Sequence, residues 1–287
     1  MNYYPEYFRP RSLTELLEKL PREKKVYFLA GGTDLLCYLR DGLLDRENVC
    51  LADVSLLSEL KEIAEESDCI RIGSGTTFAE IIENDLAKKW APVLVKAGQT
   101  IGTPQIKNRA TIGGNIGTAS PAGDSLPALA VQEAELELNK FGEKRLVKIL
   151  DIFVGPKKTN LANGEIIVAI KIPKKPRWLG NFLKIGGRRN YGISKIAIAV
   201  YLCMKNKIVE DIHIALGSVA PTVVLAKMSA EILRGQSLTD KTLREAIQAF
   251  SEIARPIDDF RSTAEYRRKI LGPLFRQVLS EITSIGQ

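Results

Sequence analysis

The chain has 287 residues, of which 45% are hydrophobic, 26% charged and 7% aromatic, a balance typical of a globular protein with one or two domains. Its formal net charge of +7 comes from scattered lysines and arginines without an aromatic-interleaved RNA motif, so we expect no nucleic-acid partner. No apolar run approaches the ~20 residues that cross a bilayer, and the amino-terminal residues do not resemble a signal peptide, so we expect no membrane insertion and a cytoplasmic location.

The first part of the chain alternates predicted helices and strands. A capping box at Ser12 and Glu15 predicts a helix over 13–20. A strand over 26–30, a helix that begins at Thr33 or Asp34 and a strand over 49–52 complete a small unit by about residue 57. The next unit contains predicted strands at 70–72, 135–139 and 166–172 and predicted helices at 78–83, 92–97 and 126–131.

A second domain is predicted after the charged, proline-broken segment 174–177. Strands come first, and helices follow, which is typical of an α+β domain. We therefore predict a domain over 1–177, with subdomains over 1–57 and 58–177, and a smaller α+β domain over 178–287. Its predicted strands are 182–185, 193–204 and 208–218, and its predicted helices are 227–234, 239–254 and 264–282.

Two glycine-rich segments carry the chemistry of this sequence. Residues 30–35 follow a predicted strand, and residues 111–124 hold four glycines among small hydroxyl residues before Asp124. A backbone with so few side chains can approach a diphosphate and point N–H groups at it. Neither segment is a Walker loop or a G-x-G-x-x-G fingerprint. The pattern predicts two loops, each at the end of a strand, that hold a dinucleotide between them.

The remaining reactive side chains favour structural roles. The four cysteines form no C-x-x-C pair and lie near no histidine cluster, so we expect buried thiols rather than an iron–sulfur or zinc site. The single histidine, His213, lies in an alternating strand and is predicted to be structural. Asp258 and Asp259 follow Pro256, which favours a turn or a helix cap. We predict no catalytic residue and no metal ligand in this chain.

Residues 103–115, T-P-Q-I-K-N-R-A-T-I-G-G-N, resemble the signature of the FAD-binding subunits of molybdenum hydroxylases, the family of xanthine, nicotinate and carbon monoxide dehydrogenases. Residues 30–35 resemble the family's first glycine loop, 119–124 its A-S-P-x-x-D segment and 261–267 a C-terminal R-x-S-x-x-Y-R motif. Gly192 stands where the family often has an aspartate. The resemblance implies an α+β fold: a two-subdomain, PCMH-type FAD-binding domain, then a smaller domain with a short antiparallel sheet and helices.

The resemblance also implies residue roles. Backbone N–H groups of 31–35 and 113–115 would bind the FAD pyrophosphate, Thr118 and Asp124 would hold the ribose and adenosine side, and Lys184 would lie near the flavin. Ile167 belongs to a strand whose apolar residues pack at the cofactor. The full set of implied cofactor-binding residues is Ala30, Gly31, Gly32, Thr33, Asp34, Leu35, Thr111, Gly113, Gly114, Asn115, Thr118, Ser120, Asp124, Ile167 and Lys184.

Partner subunits are implied in the same way. Molybdopterin is expected in a large subunit and [2Fe-2S] clusters in a small subunit, with FAD in this chain passing electrons to NAD⁺ or another acceptor. Such subunits usually assemble as a dimer of heterotrimers. Two alternatives stay open: a self-contained flavin-dependent oxidase or dehydrogenase on the same scaffold, and a flavin-free assembly subunit.

Overall fold

A computed structural model describes residues 5–21, 23–188 and 191–285 of the chain. The amino-terminal part forms a three-stranded parallel sheet, in which β3 lies between β1 and β2. Every residue of β3 is buried, and all of them except Asp53 are apolar. The elements of this part are β1 (Glu6–Phe8), α1 (Leu13–Lys19), β2 (Lys25–Leu29), α2 (Leu35–Arg40) and β3 (Val49–Asp53).

A five-stranded antiparallel sheet follows, with β10 at its centre and the order β4-β5-β10-β6-β7. Its strands are β4 (Ile63–Glu65), β5 (Cys69–Gly73), β6 (Glu135–Lys140), β7 (Glu143–Lys148) and β10 (Ile166–Pro173). A small hairpin of β8 (Phe153–Gly155) and β9 (Lys158–Thr159) precedes β10. The helices are α3 (Phe78–Glu83), α4 (Asp85–Trp90), α5 (Pro92–Thr100), α6 (Pro104–Lys107), α7 (Ile112–Thr118) and α8 (Ser125–Val131).

The central strand β10 joins two cores. Ile170 and Ile172 belong to the main core beneath the helices, whereas Ile166 and Val168 pack with the amino-terminal sheet. Side chains two positions apart normally share a face, but the register of β10 shifts between Ile167 and Ala169, so residues before and after this irregularity face different cores. The near-continuous apolar sequence of β10 follows from this burial on both sides.

The carboxy-terminal part is a four-stranded antiparallel sheet with helices against one face. Along β12 (Ser194–Lys205), one of its two inner strands, Ile196, Ile198 and Val200 pack in the carboxy-terminal core. Ala197 and Ala199 on the other face pack in the main core. The sheet thus lies between the two parts of the molecule. Its elements are β11 (Leu179–Gly186), β12 (Ser194–Lys205), β13 (Ile208–Gly217), β14 (Val224–Leu225), α9 (Lys227–Leu233), α10 (Asp240–Gln248), α11 (Phe250–Ile253) and α12 (Ala264–Ile285).

The predicted α+β class is confirmed, and most predicted elements are present with their ends within three residues. The helix predicted over 239–254 is instead divided at Ala249 into α10 and α11. Phe250, the first residue of α11, is buried against Phe275 with the two ring centroids 5.1 Å apart. The outer strands β1, β4 and β7 lie outside the predicted elements; β7 is mostly exposed and lacks apolar alternation.

The prediction for the second glycine-rich segment is wrong. Residues 111–117 were expected to form a loop after a strand, but Ile112–Thr118 is the helix α7, and the element before it is the short helix α6. Glycine lowers helix stability by ~1 kcal/mol per residue relative to alanine. One local and one tertiary feature compensate: Thr111 caps the helix, and Ile112 and Ile116, four positions apart, are fully buried on one face. Across the described ranges, no helix combines the length and apolarity that a membrane span requires.

Candidate functional site

The first glycine segment, residues 30–35, connects β2 to α2 and includes the first residue of that helix; we call it loop 1. Gly32 has φ +75°, a left-handed conformation that glycine adopts without steric penalty. A Cβ atom on Gly31 would lie 1.9 Å from the carbonyl oxygen of Arg109. Loop 1 therefore contacts the segment before α7 backbone to backbone, and no larger residue fits at position 31.

Loop 1 presents a run of backbone donors. Within residues 5–21, 23–188 and 191–285, no hydrogen bond is donated by the N–H groups of residues 31–35. These residues are half-buried or exposed. Successive N–H groups in a tight turn form a concavity that binds anions such as phosphate. The geometry of loop 1 therefore fits a diphosphate.

The amino-terminal turn of α7 is arranged differently. The N–H of Gly113 donates to the carbonyl of Ser74 at 2.8 Å, and the N–H of Gly114 donates to the hydroxyl of Thr111 at 3.1 Å. The N–H of Asn115 donates to the carbonyl of Thr111 at 3.0 Å. Each of these three donors already has a protein acceptor, and the implied N–H contacts of residues 113–115 with a pyrophosphate stay a prediction.

The glycines of α7 instead leave one helix face open. Gly114 and Gly117, three positions apart, are exposed. A Cβ atom on Gly117 would meet no atom within 4 Å, whereas one on Gly113 would lie 2.6 Å from the Cβ of Ser74. Gly113 is therefore required for close packing against Ser74, whereas Gly117 leaves the exposed surface of the helix without a side chain. We call the surface of Gly114 and Gly117 the glycine face.

Loop 1 and α7 are also linked through side chains. The hydroxyl of Thr118 donates to the carboxylate of Asp34 at 3.1 Å. Lys157, at the turn of the small hairpin, donates its N–H to the carbonyl of Ala119 at 2.9 Å and places its ammonium 5.0 Å from the ring centroid of Tyr38 in α2. A cation therefore lies between the end of α7 and the helix that follows loop 1.

Asp124 lies in a buried ion pair between the two parts of the molecule. Its Oδ2 accepts from the ammonium of Lys184 in β11 at 2.5 Å, and its Oδ1 accepts from the hydroxyl of Ser194 in β12 at 2.5 Å. Asp124 is 7% exposed. Burial raises the pKa of the Asp124 carboxyl, although Lys184 and Ser194 both favour its ionised form. The pair connects α8 to the carboxy-terminal sheet.

The other predicted residues occupy separate positions. The side-chain oxygen of Asn115 accepts from the hydroxyl of Ser125 at 2.6 Å, which orients the amide. The hydroxyl of Ser120 accepts from the N–H of Ala122 at 3.3 Å in the turn before Asp124. Ile167 is 6% exposed in the main core. The structure brings loop 1 to Thr118 and Asp124 to Lys184, and it places Ile167 inside the domain.

Sequence reasoning missed two residues: Ser194 beside Asp124, and Lys157 beside the end of α7. Ser194 follows an isoleucine in an apolar strand, and no motif marks its hydroxyl. Lys157 follows Gly155 and Pro156, a dipeptide that predicts a turn but not its position in the fold. Arg189 and Asn190, shortly before Gly192, fall outside the described residues.

The remaining reactive side chains make structural contacts, and three of the four cysteines are buried, whereas Cys37 is only partly buried. His213 donates from Nδ1 to the carbonyl of Val131 at 2.8 Å, and the carboxylates of Asp258 and Asp259 accept backbone N–H groups before and at the start of α12. Burial raises the pKa of the Cys69 thiol to about 11. The part of the chain that the structure describes holds no group of three or more His, Cys, Asp or Glu residues suited to a metal.

Comparison with known families identifies the chain. Residues 2–175 match the family described as the FAD binding domain in molybdopterin dehydrogenase, and residues 181–282 match the CO dehydrogenase flavoprotein C-terminal domain. The chain belongs to this family of FAD-binding subunits, and the family prediction made from residues 103–115 is confirmed.

Whole-length relatives agree with this assignment. The chain is 30% identical to the glyceraldehyde dehydrogenase medium chain of Sulfolobus acidocaldarius, over 98% of this chain and 99% of the relative. It is also 30% identical to the xanthine dehydrogenase FAD-binding subunit of Escherichia coli O157:H7, over 97% and 96%. A chain of the reconstituted CO dehydrogenase from Oligotropha carboxidovorans superimposes with a TM-score of 0.93 at 28% identity, over 98% of both chains. These relatives are subunits of oxidoreductases.

Proposed function

We propose that FAD binds between loop 1 and the glycine face of α7, with its pyrophosphate on the N–H groups of residues 31–35. The observation that carries this proposal is the run of adjacent backbone donors without a protein acceptor in the described structure. A diphosphate would supply acceptors for these donors, and the glycine face leaves room for the cofactor beside them.

We infer further roles for the polar residues around this opening. The ammonium of Lys157 would add electrostatic attraction for the pyrophosphate, and the hydroxyl of Thr118 can donate or accept at the cofactor. Asp124 would accept hydrogen bonds from sugar hydroxyls of the cofactor, and Lys184 would lie near the flavin. A carboxylate has about four acceptor positions, so Asp124 retains acceptor capacity after bonding to Lys184 and Ser194.

We propose that the chain is the electron-transfer subunit of a molybdenum hydroxylase complex. Its named relatives are medium chains and FAD-binding subunits of dehydrogenases. When bound, FAD can accept electrons singly and release them as a pair. The proposed partners are a small subunit with [2Fe-2S] clusters and a large subunit with molybdopterin, assembled as a dimer of heterotrimers. NAD⁺ is our first choice of acceptor, and a cytoplasmic location stays a prediction.

In this role the chain needs no acid–base residue of its own. Its residues bind and orient the cofactor, while loop 1, α7 and the Asp124–Lys184 pair hold their positions through contacts between distant segments. Hydride or electron transfer depends on how the flavin is placed and on the charges beside it. The buried pair places the Lys184 ammonium against the Asp124 carboxyl at the junction of the two domains.

Binding measurements on the purified chain test the proposal. We expect a flavin absorption spectrum, release of FAD on acid treatment, and competition of FAD binding by ADP but not by FMN, because ADP carries the diphosphate that loop 1 binds. A chain that takes up neither FAD nor ADP, or one that binds FMN as tightly as FAD, would contradict the proposed site.

A further inference from the structure

We propose that Ser194 is a positioning residue of the flavin site, which holds the carboxylate of Asp124 in the orientation that pairs with Lys184. This inference rests on the proposed function, since it assumes that Asp124 and Lys184 contact FAD. Ser194 itself would act through Asp124 rather than on the cofactor.

The geometry of the carboxylate is the first support. Lys184 in β11 donates to Oδ2 and Ser194 in β12 donates to Oδ1, each at 2.5 Å. The two oxygens are thus held by neighbouring strands, so the carboxylate cannot rotate without losing one charge-assisted hydrogen bond. Ser194 is 1% exposed, which leaves little room for water to replace its hydroxyl.

Ser194 is held rigidly in turn. Its backbone pairs with Gly186 in β11, next to an irregularity in the register. Its carbonyl accepts from the hydroxyl of Ser218 at 3.2 Å. The carbonyl of Ser218 accepts from Arg267 at 3.1 Å, and Arg267 is buried and paired with Asp259 at 2.6 Å. Arg267 of the R-x-S-x-x-Y-R motif thus supports the flavin site through two serines.

The groups around Asp124 explain why the hydroxyl of Ser194 affects the ionisation of the carboxyl. Lys184 faces it from β11, and Thr100 faces it from α5 with a hydroxyl. His213 of β13 contacts the opposite end of α8 at Val131. Burial favours the protonated carboxyl, which would no longer attract Lys184, whereas the hydrogen bond from Ser194 favours the ionised form. Ser194 therefore helps to keep the pair charged.

The test compares Ser194→Ala with Ser229→Ala. Ser229 is also 1% exposed, but its hydroxyl donates to the carbonyl of Ala246, away from Asp124. The FAD dissociation constant of the full chain is measured from acidic to neutral pH. We expect Ser194→Ala to weaken FAD binding roughly 10- to 100-fold, the usual effect of a lost hydrogen bond to a charged group. The pH at which affinity falls on acidification should also rise, while Ser229→Ala changes neither quantity.

The shift with pH separates positioning from a general structural effect. A loss of affinity that is equal at every pH, or a Ser194→Ala variant that behaves like Ser229→Ala, would overturn the proposal. Ser194→Thr keeps the hydroxyl and should restore binding. If Ser194→Ala does not fold, Ser194→Cys is measured instead, because a thiol has similar size but is a weak donor.

A parallel Asp124→Ala variant separates this inference from the proposed function. Weak FAD binding by Asp124→Ala together with normal binding by Ser194→Ala would overturn only the role of Ser194. Normal binding by both variants would also overturn the placement of Asp124 at the cofactor.

Discussion

The carbonyl oxygen of Arg109 lies 1.9 Å from the position that a Cβ atom on Gly31 would occupy. Two segments far apart in the sequence therefore meet backbone to backbone. The glycines of the site serve different purposes: Gly31 and Gly113 allow close packing, Gly32 allows a left-handed turn, and Gly117 leaves a surface open. These differences give the glycine variants distinct expected phenotypes.

Gly117→Val tests the glycine face. The added side chain meets no protein atom within 4 Å at its Cβ, so we expect thermal stability close to that of the original chain. FAD binding should weaken roughly 10- to 100-fold, which corresponds to ~1–3 kcal/mol of steric overpacking against the cofactor. Gly117→Ala should fold slightly more stably, because alanine is favoured over glycine in a helix, and yet bind FAD less well. Equal FAD affinity of all three proteins would exclude the cofactor from this face.

Gly31→Ala tests the backbone contact between loop 1 and Arg109. We expect the free energy of unfolding to fall by ~1–3 kcal/mol, because the backbone of one segment must move. Chemical denaturation provides the measurement. Gly155→Ala is the matched control, since its Cβ would meet no atom within 4 Å. Similar stability of the two variants would show that loop 1 does not need this contact.

Lys184→Met tests the buried pair. Removal of the ammonium leaves the Asp124 carboxylate without its cation, and breaking such a pair typically destabilises a protein by ~3–5 kcal/mol. The double variant Asp124→Asn, Lys184→Met should recover much of this stability, because neither charge is then buried alone. Neither variant should bind FAD tightly. A double variant that restored both stability and FAD affinity would assign the pair a purely structural role.

Lys157→Ala tests the electrostatic contribution beside loop 1. We expect FAD affinity to fall roughly two- to fivefold, as for an exposed ion pair of up to ~1 kcal/mol, and the difference to shrink at high salt. Lys158→Ala, which removes the neighbouring exposed charge, is the control. The same loss in both variants would indicate an effect of net charge rather than a contact near the pyrophosphate.

Asp53 gives a prediction for stability at acidic pH. Burial disfavours its ionised form, but hydrogen bonds from Ser55, Tyr7 and Arg9 outweigh burial and lower the pKa of Asp53 from 3.8 to about 2. A pKa that is lower in the folded state stabilises the fold above pH 3.8. This contribution, on the order of 1 kcal/mol, should be lost as the pH falls from 3.8 to about 2. Denaturation of Asp53→Asn over this range should lack the contribution, and an identical pH profile would contradict it.

Local pattern was sufficient for elements whose determinants lie within a few residues. Ser12 caps α1, and the long apolar runs of β10 and β12 become buried strands, because capping and side-chain alternation are local properties. The motif at residues 103–115 was also sufficient for the family. The amino-acid sequence by itself thus determined the fold class and the family, before any three-dimensional contact was known.

Only the tertiary structure decided which polar groups are available to a ligand. The N–H of Gly113 is taken by Ser74, whereas the described structure provides no acceptor for the N–H groups of loop 1. The hydroxyl of Ser194 meets a carboxylate 70 positions earlier in the chain. A local pattern specifies backbone conformation and burial, but hydrogen-bond partners from distant segments are set by how the elements pack.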